Sequence, residues 1–196
     1  MQAVSARLLA GGTVRLWCPW PIRGQVPPGV ELTAGPPAEA LVTVKNAAGD
    51  ALLLVPNIVV PGVGCRRGTS RAALEAALEQ FLARSGLLAS AVCGVASIDL
   101  KAEEPGLLAF CRSHGWPLST RSAEELAKVP GTFTSSPFVR QVTGVDNVCE
   151  RSAAAVSGGP VLARKFTAQG VTLAAAGKPL SLTWDWGQRE RDERKG

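Results

Sequence analysis

The sequence has no tyrosine, one histidine and one methionine, and aromatic residues make up only 5% of its 196 positions. Stacking surfaces for bases are therefore scarce, and the basic residues are not massed into a stripe, so no nucleic-acid partner is expected. Five cysteines, Cys18, Cys65, Cys93, Cys111 and Cys149, form no CxxC pair and are odd in number. That pattern argues against a disulfide framework and against a zinc site, and it fits free thiols in a reducing cytoplasm. With one histidine and scattered thiols, no metal held by protein ligands is expected. That histidine, His114, precedes Gly115 at the end of a helical pattern, where contact with the last helix carbonyls is its simplest role. No apolar run approaches the roughly 20 residues of a membrane span, and no charged-then-apolar leader is found, so neither membrane insertion nor secretion is expected.

What is present is an ordinary globular composition, 46% apolar, with a formal net charge of +5. The length suits one domain with a real core and an additional small lobe. The positive balance admits an anionic surface or a polyanionic small molecule as partner.

The chain reads as three segments. Residues 1–56 are a lead-in in which "VRLW" (14–17), "ALVTVK" (40–45) and "ALLLVP" (51–56) are short strand candidates, the first two separated by a proline-rich loop. Residues 57–180 form the main domain. There "IVVPGVG" is a strand, and Thr69 or Ser70 caps a helix with Leu74, Leu78, Phe81 and Leu82 on one face and Gly86 as its stop. "AVCGVASI" (91–98) reads as a strand buried on both faces, Pro105 starts a helix that Gly115 ends, and "WPLST" is a third strand. Ser122 and Glu125 have capping-box spacing, Pro137 and Asn147 start two further helices, and "PVLARKF" with "GVTLAAA" closes the domain as a hairpin. Right-handed crossovers make the first three strands parallel. The expected fold is therefore a three-layer α/β/α domain with a mixed sheet, a parallel βαβαβ core plus a C-terminal antiparallel hairpin. Residues 181–196 are a charged tail. Trp184 and Trp186 within it are two apart, on one face if that stretch is a strand.

In this order the loop "GVGCRRGTS" (62–70) follows the first parallel strand and "SIDLKAEEPG" (97–106) follows the second, so both lie at the carboxyl edge of the sheet, where open α/β sheets bind ligands. Gly62, Gly64 and Gly68 permit close backbone approach, the helix that follows offers free N–H groups, and Arg66 and Arg67 are fork-shaped donors for carboxylate or phosphate. Cys65, Thr69 and Ser70 complete the loop. Neither GxxxxGK[ST] nor GxGxxG is matched, and a tight turn carrying solvated arginines is the plainer alternative. In the second segment Lys101 adds a cation, and Asp99 and Glu104 are the candidate bases, since a carboxylate beside arginines and a helix end stays ionised. Capping by Glu103 and Glu104 is the alternative there. Lys165 reaches an anion from a strand or else is a solvated edge lysine, and Glu150 has the spacing to close a capping box with Asn147.

"PGVGCRRGTS", "SIDLKAEEPGLLAF", "TSSPFVRQVTG", "GVDNVCERSAA" and "KFTAQGVTLAAA" follow one another across about residues 57–177 in the order and approximate spacing of one family. The chain resembles the C-terminal domain of the cobalt-precorrin-5A hydrolase family of cobalamin (vitamin B12) biosynthesis, and the single-domain relative of that domain in the aerobic pathway. The lead-in "ARLLAGGTVRLW" resembles the hydrolase linker more weakly. The resemblance implies opening of a δ-lactone on a tetrapyrrole-derived ring with release of acetaldehyde. It implies a substrate rich in acetate and propionate carboxylates and no cofactor, the cobalt arriving within the substrate. An activated water and a stabilised oxyanion are then needed; Asp99 or Glu104 is the candidate for the first, and the loop N–H groups with Arg66 or Arg67 for the second. The expected partner is a cobalt-precorrin intermediate. The family's hydrolases carry a further domain ahead of the linker, so either that domain is a separately encoded second partner, or the chain is truncated, or it acts more like the single-domain relative. A non-catalytic carrier or partner subunit for a corrin-ring intermediate is the alternative.

Overall fold

The computed structural model describes residues 2–134 and 146–184. They divide into two compact units, one of residues 2–56 with 180–184 and the other of residues 57–134 with 146–179. The helix start expected at Pro137, Trp186 and the charged end of the chain lie outside the described residues.

The second unit is built on a five-stranded mixed sheet of β6 (Val59–Cys65), β7 (Val95–Ile98), β8 (Leu118–Arg121), β9 (Val161–Ala168) and β10 (Val171–Gly177), in the order β8-β7-β6-β10-β9. β6, β7 and β8 are parallel, and β10 runs antiparallel to both β6 and β9. Helix α2 (Arg71–Ser85) links β6 to β7, and α3 (Pro105–His114) links β7 to β8. α4 (Ala123–Ala127) and α5 (Val148–Ser157) follow, α5 covering the other face of the sheet. The fold is the three-layer α/β/α arrangement expected.

The local reasons are those of the sequence. The Ser70 hydroxyl accepts the Ala73 N–H at 3.2 Å to start α2, and Gly86, at φ 70°, returns its N–H to the Leu82 carbonyl to end it. Leu74, Ala77, Leu78 and Phe81 are buried at helical spacing, and the Phe81 ring meets Phe166 of β9 with centroids 6.1 Å apart. Pro105 occupies the first turn of α3, Gly115 at φ 66° stops it, and Leu107, Phe110 and Cys111 face inward. Ser122 and Glu125 make the full capping box of α4. The run 91–98 is not one strand. Ala89–Ala91 is a 3-10 turn, Val92 makes an isolated bridge to Val59, and regular pairing with β8 begins at Val95. An apolar run reports burial on both faces, and burial alone does not start a strand.

The first unit holds α1 (Gln2–Leu9), a parallel sheet of β1 (Val14–Trp17), β3 (Val30–Thr33), β4 (Ala40–Val42) and β5 (Leu52–Leu54) in the order β3-β1-β4-β5, and a separate parallel pair of β2 (Ile22–Gly24) with β11 (Leu182–Trp184). Val14, Leu16, Ala40 and Val42 form its core, with Trp20 and Trp184 packed against them. The Glu39 carboxylate ties the start of β4 to β1. It accepts the Arg15 N–H and Nε–H at 2.9 and 3.1 Å, and the Arg15 side chain holds it down to about pKa 2. α1, β2 and β3 are absent from the sequence reading, β2 and β3 being three- and four-residue strands inside the proline-rich stretch; β11 is the strand considered at Trp184, but it pairs with β2 rather than belonging to a charged tail.

Phe81→Ala empties a site at 2% exposure in the second unit, and large-to-small changes of this kind cost about 3–5 kcal/mol. Chemical denaturation of the variant should show a loss of that size at unchanged denaturant slope.

Candidate functional site

β6 and β7 run parallel and end near one another at Cys65 and Ile98, so residues 66–70 and 99–104 emerge at the same edge of the sheet. One side chain locks these loops together. The Glu104 carboxylate, 7% exposed, accepts the Gly68 N–H at 2.7 Å through Oε1 and the Lys101 ammonium at 2.9 Å through Oε2. Gly106 completes the join, because a Cβ there would overlap the Thr69 carbonyl oxygen. The β9–β10 hairpin turns at the same edge through Gln169 and Gly170, both at positive φ, as in a two-residue type I′ turn. Bare at its Cα, Gly170 faces the Arg66 side chain, whose Cδ and Nε would lie 3.9 Å from a Cβ placed there. The fourth wall is the N-terminus of α5, where the Asn147 Oδ1 accepts the Glu150 N–H at 3.1 Å.

These walls enclose an open cleft of about 1260 Å³. Arg66, Arg67, Lys101 and Lys165 line it, against the carboxylates Glu103 and Glu104. Lys101 is neutralised by Glu104. Among the described residues Arg66, Arg67 and Lys165 have no carboxylate within ion-pair range. The Lys101 hydrogen bond, with the Gly68 N–H and the Arg67 charge, holds Glu104 below the usual carboxylate range against the opposing effect of burial. Burial pushes the Cys149 thiol up to about 11 and the Cys65 thiol upward as well, so both are neutral thiols at pH 7.

Of the residues proposed from sequence, Gly64, Cys65, Arg66, Arg67, Gly68, Lys101, Glu104 and Lys165 line the cleft. Four do not. Gly62 is a packing glycine, where a Cβ would overlap the Cys149 carbonyl oxygen of α5. Thr69 donates its hydroxyl to the Arg66 carbonyl at 2.8 Å, and Ser70 caps α2. Asp99 is exposed and turns its carboxylate back to the Leu100 N–H at 2.8 Å.

Two bystander readings also change. His114 pairs with the Glu75 carboxylate at 2.7 Å and stacks on Trp116 at 4.1 Å, because α2 packs alongside α3 and supplies a better acceptor than the last helix carbonyls. Glu150 does not close a capping box. Asn147 caps α5, but the Glu150 carboxylate points inward, to Thr134 and to the Lys165 N–H. The sequence reading missed Asn147, Cys149, Thr167, Gly170 and Thr172 as lining residues. Only the hairpin expected from "PVLARKF" and "GVTLAAA", whose tip at Gly170 falls at this edge, pointed to any of them.

An α/β/α domain with a basic cleft at the carboxyl edge of its parallel strands is the class that fold and geometry define. The family described as Cobalamin synthesis G C-terminus matches residues 59–176, and the chain belongs to it. Its members' name places the chain in cobalamin biosynthesis. The chain is 37% identical over 120 residues to cobalt-precorrin-5A hydrolase of Salmonella typhimurium, covering 61% of this chain and 34% of that protein. It is 31% identical over 138 residues to the hydrolase of Priestia megaterium, covering 67% and 37%. The chain thus spans about a third of the length of either hydrolase. It is 32% identical over 127 residues to Protein CobE of a Sinorhizobium species, covering 63% of this chain and 82% of CobE. A crystal structure of CobE, a protein from the cobalamin biosynthetic pathway, superposes with a TM-score of 0.58 at 30% identity, over 63% of this chain and 92% of that one. No helix among the described residues is long and apolar enough to cross a membrane.

The depressed Glu104 pKa has a signed consequence. Its ionised form stabilises the fold above the unfolded-state value of about 4.3, and that contribution is lost as pH falls through the lower folded-state value. Glu104→Gln should therefore be less stable than wild type at neutral pH, and the two stability curves should converge in acid. Urea midpoints measured from about pH 7 down to 3 check this. At Gly62, alanine must push α5 away from β6, and overpacking of this kind costs about 1–3 kcal/mol. Thermal unfolding of Gly62→Ala measures the loss.

Proposed function

We propose that the cleft binds a cobalt-precorrin intermediate by its peripheral carboxylates, and that the chain supplies this binding step to a cobalt-precorrin-5A hydrolase-type reaction. The observation that carries the reading is the cluster of Arg66, Arg67 and Lys165 at one opening, without carboxylate partners among the described residues. Arginine forks match carboxylates with paired donors, and hydrogen bonds to charged groups contribute about 1.5–3 kcal/mol each. The volume, about 1260 Å³, exceeds the range of about 300–1,000 Å³ common for small-ligand sites and suits part of a macrocycle.

For the lactone chemistry the cleft has donors on hand. Arg66, Arg67 and the first N–H groups of α5 can stabilise an oxyanion. A base is harder to supply. Glu104 has both oxygens committed and a low proton affinity, and Asp99 is outside. Glu103 is the cleft carboxylate with no hydrogen bond among the described residues. The second reading, a carrier or partner subunit without catalysis of its own, is favoured by the commitment of Glu104 to structure. In either reading the cobalt belongs to the bound intermediate, and the location is expected to be the cytoplasm.

Titration of the chain with cobalt-precorrin-5A, alongside an acetaldehyde assay, separates the two. Binding should weaken by at least about tenfold in Arg66→Ala/Arg67→Ala, and undiminished binding in that variant overturns the anion-cleft reading. Acetaldehyde production that is lost in Glu103→Gln supports the hydrolase. Tight binding with no acetaldehyde supports the carrier.

A further inference from the structure

Glu150 is fully buried at 0% exposure, yet it is charged and plays no part in the chemistry above. A buried ionised carboxylate is costly to desolvate unless its lone pairs are filled. Here they are. Burial raises its proton affinity, and the hydrogen bonds outweigh that effect, so it stays below the usual carboxylate range. Oε1 accepts the Lys165 N–H at 2.8 Å and the Thr134 hydroxyl at 2.9 Å, and Oε2 accepts the Thr134 N–H at 3.1 Å with Arg164 at 3.4 Å. None of these is the N-cap contact its spacing suggested.

The place it fills is a fault in the β9–β10 ladder. Leu173 pairs with Phe166 and Ala175 with Ala163, so Arg164 and Lys165 together stand opposite Ala174. That is a β-bulge on the edge strand β9. A bulge leaves a backbone N–H without its ladder partner and turns one side chain away from strand alternation. The Lys165 N–H goes to Glu150, Arg164 turns to Thr132 and Glu150, and Lys165 lines the cleft. Glu150 is also the third position of α5, and Val148 and Cys149 of that helix, with its N-cap Asn147, line the cleft as well.

We infer that Glu150 is the positioning residue of the cleft: it seats the β9 bulge against the start of α5 and thereby aims Lys165 at a carboxylate of the bound macrocycle. The inference rests on the binding function proposed above, in which Lys165 is one of the cations, and adds Glu150 as the group that orients it.

The test is a double-mutant cycle read by affinity for cobalt-precorrin-5A, with uroporphyrin as a cobalt-free polycarboxylate probe. If wild type binds neither, the function proposed above fails. Given wild-type binding, Lys165→Ala should weaken it about tenfold, the equivalent of one charged contact. Glu150→Gln should weaken it by a similar factor, and the double variant should be little worse than either single one. A merely structural Glu150 would lower stability and leave the affinity of folded protein unchanged, or its effect would multiply with that of Lys165→Ala; either result overturns the inference, as does full binding by Lys165→Ala. Because Glu150→Gln can compromise folding, the wild-type chain gives an independent reading. Its Lys165 amide should show a through-hydrogen-bond coupling to the Glu150 carboxyl carbon in NMR, and absence of that coupling overturns the positioning geometry.

Discussion

The Glu104 carboxylate lies between two loops that follow different strands, with the Gly68 N–H on one oxygen and the Lys101 ammonium on the other. Removing such a pair from water is costly, and attraction in the interior offsets the cost only when both partners are held in good geometry with their remaining hydrogen-bonding groups filled. The geometry here is good, with contacts of 2.7 and 2.9 Å, and Gly106 lets the start of α3 approach the Thr69 carbonyl directly. The join determines where the arginine loop stands. With the Gly68 N–H seated, Arg66 and Arg67 project from a fixed turn, and Arg66 runs past the bare Cα of Gly170.

The join also divides the charges of the cleft into structural and available ones. Lys101 is consumed by Glu104, whereas Arg66, Arg67 and Lys165 face the opening. Their arrangement on two separate pieces of chain, the 66–67 loop and β9, suits several spaced anionic groups better than a single compact phosphate. It also explains the failure of both glycine templates. Phosphate loops wrap one group with consecutive backbone N–H groups, whereas here the glycines serve packing at Gly62 and Gly106 and a turn at Gly68.

Much of this was legible in the sequence. Capping residues, helix stops and the order of strands and helices placed 62–70 and 97–106 at one edge, because Ser70, Gly86, Pro105 and Gly115 act through local backbone geometry. Family resemblance over about residues 57–177 was legible too, and the family model matches residues 59–176. Roles that depend on distant partners were not legible. Gly62 reads as a ligand-approach glycine until α5 is seen lying on it, and Glu150 reads as a cap until the bulge of β9 offers an unpaired N–H. Asp99 and Glu104 look equivalent in sequence, yet a 3-10 turn sends the first to solvent and the second into the join. In the first unit β1, β4 and β5 were legible, whereas β2 and β3 were hidden for a different reason, since three or four residues among prolines carry almost no periodic signal.

The most direct test of the account is backbone-amide shift mapping of the chain during titration with cobalt-precorrin-5A. The account predicts saturable changes concentrated at Gly64–Gly68, Cys149, Lys165 and Gly170, with the Glu39–Arg15 region of the first unit unmoved. Saturable changes centred anywhere other than this cleft would contradict it.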